Sequence, residues 1–297
     1  MSEPIWCIMP VVAGREMTEA AINDCLAQSV PTRVLVVNQA VDNDFRTRLE
    51  QICEEYPDRV FLWSHEPTLP SLSATWNCAL KFVWATGGEE ALVVNNDVRL
   101  NEFTVEWLSK VLHRAQALFV SAVGVTAEQF DPTISYHDSY FWGDGELDHK
   151  GGPDFSCFLI SKECHRRFKF DENFIPAFCE DLDYHRTLML AGEGKRIFSV
   201  NLPYLHLASQ TLKQVDPHRR QHIEAKINSV SRAYYERKWG GPVNHEKFYN
   251  PFNENPTSTD HWTMKAGPTT PELQSYIQTH EIASVLTTMK RMGELLE

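Results

Sequence analysis

The first hundred residues switch repeatedly between two hydrophobic periods, and that switching restricts the chain to a small set of folds. IWCIMPVV (5–12) is a short apolar run with strand character. From Thr18 to Gln28 the apolar residues Ala20, Ala21, Cys25 and Leu26 recur at helical spacing, with Thr18 placed to cap. TRVLVVN (32–38) is a second strand, closed by polar QAVDND. A second helix is expected over 43–56, with Phe45, Leu49, Ile52 and Cys53 on one face, stopped by Pro57. RVFLWS (59–64) is a third strand, SLSATWNCALKFVWAT (71–86) a third helix ended by Gly87 and Gly88, and ALVVNND a fourth strand. Short strands alternating with amphipathic helices predict crossover connections and a largely parallel sheet covered on both faces. In such sheets ligands bind beyond the carboxyl ends of the strands, where Asn38, Asp42 and Asn95-Asn96-Asp97 would gather.

The remaining two thirds are less regular. A helix is expected over 102–117 and a strand over 119–125. The segment 126–150 is polar and aromatic, with Tyr136, His137, Tyr140, Phe141 and Trp142 close together. PDFSCFLISKECHRRF reads as a strand and a short helix, Glu180–Leu190 as a helix ended by Gly192 and Gly194, and a strand then leads to His206. Residues 214–238 form a charged helix, 240–270 an extended or clamping stretch, and 270–296 a final amphipathic helix. The chain is thereby divided into a domain at 1–212, with halves at 1–100 and 101–212, and a C-terminal helical extension at 213–297.

Composition narrows the function. A chain of 297 residues with 42% hydrophobic content can bury a sizeable core, and a net charge of −12 disfavours passive binding to a phosphate backbone. The seven cysteines stand singly with no C-x-x-C pair, which argues against a zinc module or a disulfide framework and favours a reducing compartment. No basic leader and no membrane-length apolar run occur, so a cytoplasmic location with no membrane span is expected. GxGxxG does not follow the first strand and GxxxxGK[ST] is absent, which disfavours dinucleotide and P-loop enzymes.

Three polar groups stand at element ends: Asn95-Asn96-Asp97, Glu180-Asp181-Leu182-Asp183, and His206. Each also has a structural reading. Asp97 would serve as a turn cap, the acids at 180–183 would complement a helix macrodipole, and His206 would be a satisfied surface residue.

Their order tips the balance, because over about residues 4–210 the sequence resembles the family-2 glycosyltransferases of GT-A fold. IMPVVAGREMTEAAINDCLAQSVP is similar to that family's first strand, proline turn and helix, and places Pro10 and Val12 against the donor. VLVVNQAVDND resembles its second strand, with Asn38 where an acid usually contacts the nucleotide base. LSATWNCAL supplies Asn77, and LVVNND matches the D-x-D strand, with Asn95 in the first acid position and Asp97 in the second. The most specific match is Phe170, Asp171, Glu172, Phe174, then Glu180, Asp181, Asp183, Arg186 and Gly192 at the family's spacing, followed by the late His206.

The resemblance implies a Rossmann-like, mixed, largely parallel sheet flanked by helices, and an inverting, metal-dependent sugar transfer from a nucleotide-sugar donor. Asn38, Asn77, Asn95 and Asn96, with Pro10 and Val12, would contact the donor. Asp97 and His206 would hold Mn²⁺ or Mg²⁺, which offsets the charge that develops on a diphosphate leaving group. Asn95 keeps a carbonyl oxygen but lacks the acid's charge, which lowers the expected metal affinity. Asp181 would be the general base, with Glu180 and Asp183 beside it to orient the acceptor or raise the base's pKa. Helical spacing separates Asp181 from Asp183, so a structural role for Asp183, paired with Arg186 or another arginine, stands alongside an acceptor contact. Trp142, with Gly143, Asp144 and Gly145, is read either as an acceptor wall or as core under a loop. The acceptor is left open between a glycan, a protein and a modified DNA base of a virus. The tail at 240–297 is read as a cover for the site or as a homodimer contact. A GT-A-like nucleotidyltransferase and a non-catalytic nucleotide-sugar-binding protein are the alternatives.

Overall fold

The computed structural model of the chain describes residues 3–39, 41–64, 69–131, 141–143, 153–207 and 210–254. Strand β1 (Ile5–Val11) lies between β2 (Thr32–Asn38) and β4 (Glu90–Val94) and is parallel to both. β3 (Val60–Ser64) extends the parallel set beyond β2. The crossovers are α1 (Arg15–Leu26), α2 (Asn43–Glu55) and α3 (Leu72–Ala85). Two of them begin on side-chain caps: Asp42 accepts from the Phe45 N–H, and Ser71 from the Ala74 N–H. The first begins one turn earlier than its spacing predicts. Thr18, expected as the cap, lies inside α1, and its hydroxyl donates to the Gly14 carbonyl at 2.8 Å. The cap position is Gly14 itself, at φ 89°. A Cβ there would sit 2.5 Å from Met17 Cε, the far end of a flexible side chain, so it is the backbone angle that calls for glycine.

The second half adds β5 (Val98–Arg99), α4 (Thr104–Arg114), β6 (Phe119–Val125), β7 (Phe141–Gly143), β8 (Cys157–Ser161), α5 (Lys162–Arg167), α6 (Glu180–Leu190) and β9 (Ile197–His206). Among the described residues nine strands make one sheet in the order β3-β2-β1-β4-β8-β6-β9-β5, with β7 also on β9. β8 runs antiparallel between β4 and β6, and β5 and β7 run antiparallel to β9. The sheet is therefore mixed, as expected, but its pairings divide evenly between parallel and antiparallel, and only the first-half strands form a continuous parallel block. The period-2 and period-3.6 signals place strands and helices; they carry no record of strand direction once the simple alternation ends.

Helices cover both faces. Ile22 of α1, Leu49 of α2 and Leu108 of α4 pack on one. On the other, α3 is buried almost all round, and its Trp76 ring meets Phe158 at 5.7 Å and Phe170 at 4.9 Å. The helix expected over 214–238 is a nearly continuous run: α8 (Pro217–Lys226), a π-helical turn (Ile227–Arg232) and α9 (Ala233–Trp239), preceded by the short α7 (Gln210–Gln214). Its Tyr234, Tyr235 and Trp239 build a third cluster with Phe174, Cys179 and Phe252. Fully burying such a side chain contributes about 1.5–3 kcal/mol, so this helix is bound firmly to the segment that precedes α6. All seven cysteines are free, and no helix among the described residues is long and apolar enough to cross a membrane. The aromatic stretch at 132–140, residues 144–152 and the expected helix at 270–296 lie outside the described residues.

Candidate active site

Strand order reverses between β1 and β4: β2 and β3 lie to one side of β1 and later strands to the other. A crevice at the carboxyl ends follows, and Asn95-Asn96-Asp97 leave β4 at that point. Antiparallel pairing sets Val98 opposite His206, and the Leu207 N–H donates to the Asp97 carbonyl at 2.9 Å. The register thus brings two side chains from distant parts of the chain to one place, with His206 Nε2 3.7 Å from Asp97 Oδ1. Asp97 is buried and His206 is 30% exposed at its side chain. A carboxylate oxygen and an imidazole nitrogen side by side fit a divalent cation that takes its other ligands from phosphate and water. Among the described residues no group of three or more His, Cys, Asp or Glu is gathered.

The asparagines divide. Asn96 fastens three segments: its Nδ2 donates to the Ala13 carbonyl at 2.7 Å and to Thr18 Oγ1 at 2.8 Å, and its Oδ1 accepts from Thr211. Asn95 is half-buried, and its N–H is anchored to the Ser156 carbonyl. Asn38, buried at the end of β2, accepts from the Val41 N–H and donates to Ser64 Oγ. Pro10 and Val12 are half-buried at the end of β1, past the ladder with β4, which stops at Ile8. Asn77 is corrected. It is 2% exposed; its Nδ2 donates to the Phe170 carbonyl and Glu172 Oε1, both at 2.8 Å, and its Oδ1 accepts from the Phe170 N–H. That amide braces the stretch 170–172 and is fully occupied there, so the donor contact expected of Asn77 has no free group to make it.

The acids at the start of α6 stand on a strained turn. Phe178 and Cys179 both hold left-handed φ, 78° and 71°, a conformation unfavourable for residues with a Cβ. Glu180 follows, buried, and its Oε2 has no hydrogen-bond partner among the described residues. Burial first, then the Asp181 charge, pushes the Glu180 carboxyl well above the usual carboxylate range. Burial also raises Asp181, against the pull of the Leu182 N–H on its Oδ1, and the charge of Asp154 adds to the rise. Asp154 is a site residue that the sequence patterns do not single out. Its Oδ1 accepts from the Ser156 N–H and its N–H donates to Ser121 Oγ. It acts on both Asp181 and Tyr204, whose ring lies 6.1 Å from His206. The one signal for it is an acid between the Gly151-Gly152-Pro153 break and the β8 strand.

Asp183 is 3% exposed and bound within the core, as its structural reading has it: Oδ1 accepts from Trp239 Nε1 at 2.8 Å and from Lys238 Nζ at 2.8 Å. Lys238 is 1% exposed and reaches Asp171 at 2.6 Å, so one buried ammonium joins two carboxylates. Arg186, the partner that spacing suggests for Asp183, instead donates to the Phe248 carbonyl. Trp142 pairs its backbone with Ser199 in β7, and its ring lies outside what the structure describes.

Neither a protein-family model nor a curated protein matches the chain. Solved structures do. A mannosyltransferase from Pyrobaculum calidifontis, in complex with GDP-Man and Mn²⁺, aligns with a TM-score of 0.56 at 15% identity over 80% of this chain and 65% of its own. Residues 1–349 of S. aureus TarS align at 0.51 and 15% over 79% and 73%. Glucosyl-3-phosphoglycerate synthase from Mycobacterium tuberculosis aligns at 0.52 and 15% over 76% and 78%. The fold is GT-A. At 65% of the mannosyltransferase's length, the chain spans just under two thirds of that relative. On the GT-A frame, Asp97 and His206 occupy one edge of the crevice, Asp181 lies in the first turn of α6, and Asp154 is the acid that acts on Asp181 and on the tyrosine beside His206.

Proposed function

We propose that this protein transfers a sugar from a nucleotide-sugar donor to an acceptor hydroxyl with inversion at the anomeric carbon. The observation that carries the reading is the Asp97–His206 pair, 3.7 Å apart at the switch point of a GT-A sheet. Neighbours of this fold were solved with GDP-Man and Mn²⁺, with UDP, and with UDP, GalNAc and Mn²⁺, which supports a nucleotide-sugar donor and a divalent metal. Asp97 and His206 would hold that metal, which when bound offsets charge on the departing diphosphate.

Asp181 takes the proton of the acceptor hydroxyl as its oxygen bonds to the anomeric carbon. The bond from that carbon to the diphosphate oxygen breaks, and the nucleoside diphosphate leaves with the electron pair. Burial and the charge of Asp154 raise Asp181, which strengthens it as a base. Glu180, raised further, holds a proton beside it and donates to an acceptor oxygen. Asn95 and Asn96 shape the donor side. Asn96 does so through the β1–α1 turn it fastens.

The test is nucleotide release from a panel of nucleotide sugars with Mn²⁺, Mg²⁺ or EDTA, with Asp97→Ala and Asp181→Asn in parallel. The expected outcome is slow hydrolysis of one donor, abolished by EDTA and in Asp97→Ala. Asp181→Asn should bind that donor normally yet lose roughly 10²–10⁴-fold in transfer to acceptor. No release and no thermal stabilisation by any nucleotide sugar would overturn the reading.

A further inference from the structure

A cleft of about 470 Å³ opens beside the turn that delivers Asp181. Its wall includes Phe178, Leu212, Lys213, Arg220, Ile227 and Arg232. Three of these six are cations, in a chain whose net charge is −12. Arg220 lies 3.9 Å from Glu224, which also lines the cleft. Lys213 and Arg232 make no ion pair or hydrogen bond with any other described residue, so their charges are available to a ligand. Phe178 is 42% exposed at φ 78°, three residues before Asp181. An exposed aromatic held in an unfavourable backbone region is a feature a surface turn does not need.

The donor diphosphate belongs elsewhere. Thr211 and Gln214 share one side of α7 and face Asn96 and Met17, beside the strand ends. Leu212 and Lys213 turn the other way and line the cleft. The helix therefore stands between the donor crevice and the cleft, and the cleft's remaining neighbour is the turn before the base.

We infer that this cleft holds the acceptor, and holds it by a phosphate group that the acceptor carries near its reacting hydroxyl. The inference rests on the transferase reading and adds the acceptor's chemistry. Three cations from two helices and the π turn suit the three free oxygens of a phosphate better than the two of a carboxylate. The Phe178 ring and the apolar Leu212 and Ile227 suit the flat face of a ring that bears the phosphate. The volume suits one ring and its phosphate. A small phosphosugar and one unit of a phosphodiester chain present the same chemistry.

The test is binding measured by calorimetry with glucose 6-phosphate, glucose, inorganic phosphate and a short thymidine oligonucleotide. The wild-type protein is compared with Lys213→Gln/Arg232→Gln and with the charge-retaining Lys213→Arg/Arg232→Lys. Glucose 6-phosphate and phosphate should bind and glucose should not. The Gln pair should weaken binding roughly a hundredfold, about tenfold for each charge-assisted hydrogen bond removed, and the charge-retaining pair should bind nearly as the wild type does. An oligonucleotide that binds more tightly than glucose 6-phosphate, and loses affinity in the same Gln pair, places the phosphate on a phosphodiester chain; weaker binding places it on a small sugar. Equal binding of glucose and glucose 6-phosphate, or a Gln pair that binds as the wild type does, overturns the inference. Hydrolysis of donor by the wild-type protein is scored separately. Phosphate binding without turnover of any nucleotide sugar would leave an anion site and remove its role as acceptor cleft.

Discussion

Lys238→Met replaces a buried ammonium by an apolar chain of similar length. The change leaves Asp171 and Asp183, both almost wholly buried, without the cation that joins them at 2.6 and 2.8 Å. Removing one partner of a buried ion pair costs about 3–5 kcal/mol. Protonation limits that cost. Burial, ahead of the opposing pull of Lys238, lifts the Asp183 carboxyl to about 6 in the folded protein, against about 3.9 for a free aspartate. Neutralising Asp183 at pH 8 from that value requires about 3 kcal/mol, and near pH 6 almost nothing. The folded chain thus holds a proton that the unfolded chain gives up between about pH 4 and 6, so this group's contribution to stability falls as pH rises through that window. Without Lys238 the carboxyl rises further and the window extends upward. The expected loss is therefore about 3 kcal/mol at pH 8, shrinking below about 2 kcal/mol near pH 5.5. Urea unfolding at the two pH values, with unchanged m, measures it. Asp171→Asn/Lys238→Met/Asp183→Asn should recover much of the loss, because no buried charge is left unpaired. A loss under about 1 kcal/mol at pH 8, or one independent of pH, would refute the reasoning.

Asn77→Ala should destabilise by about 3 kcal/mol in the same assay, since it strands the Phe170 carbonyl and N–H and a Glu172 oxygen in the core. The acid limb of transfer should lie above the ordinary carboxylate range, because Asp181 is raised by burial and must be ionised to accept a proton; activity therefore rises with pH through that limb, and a flat profile down to about pH 4 would contradict the base assignment. Phe178→Gly should leave the thermal midpoint almost unchanged, as relief of the left-handed backbone offsets the flexibility of glycine, yet should weaken binding of glucose 6-phosphate; a large drop in midpoint would mean the ring serves packing alone.

Much of the frame is legible in the residues because each early element obeys a local rule. Asp42 and Ser71 cap the helices they precede, Glu180–Leu190 is helical over the expected span, and β2, β3 and β4 end where polar residues begin. Strand direction in the second half is not legible, since β8 entering antiparallel between β4 and β6 is decided by connections and packing across the sheet. The Asp97–His206 meeting depends on the resemblance, because nothing in the local pattern pairs β5 with β9. Side chains that look alike in sequence part in space. Asn96 and Asn77 are both internal fasteners, and Asp183, two residues from Asp181, points into the core because two positions on a helix differ by about 200°. Lys238 is hidden for a related reason: a charged helix of mixed composition is usually a solvated face, and only the tertiary packing shows which lysine turns inward.

The π-helical turn at Ile227–Arg232 gives that inward lysine a further meaning. A π turn carries more residues than an α turn over nearly the same rise, so it sets the rotational phase of everything after it. Tyr234, Tyr235, Lys238 and Trp239 face the core at this phase. The turn's six residues wind through nearly the angle of five at α pitch, so the extra residue is absorbed and the helix after it keeps its facing. Wound at α pitch, the same residues would rotate α9 by about 100°. The aromatic face and the ammonium would swing together toward water, and two aspartates would be left behind without their cation. The looser winding of this short turn is therefore a constraint in its own right, because the facing of everything after it depends on it.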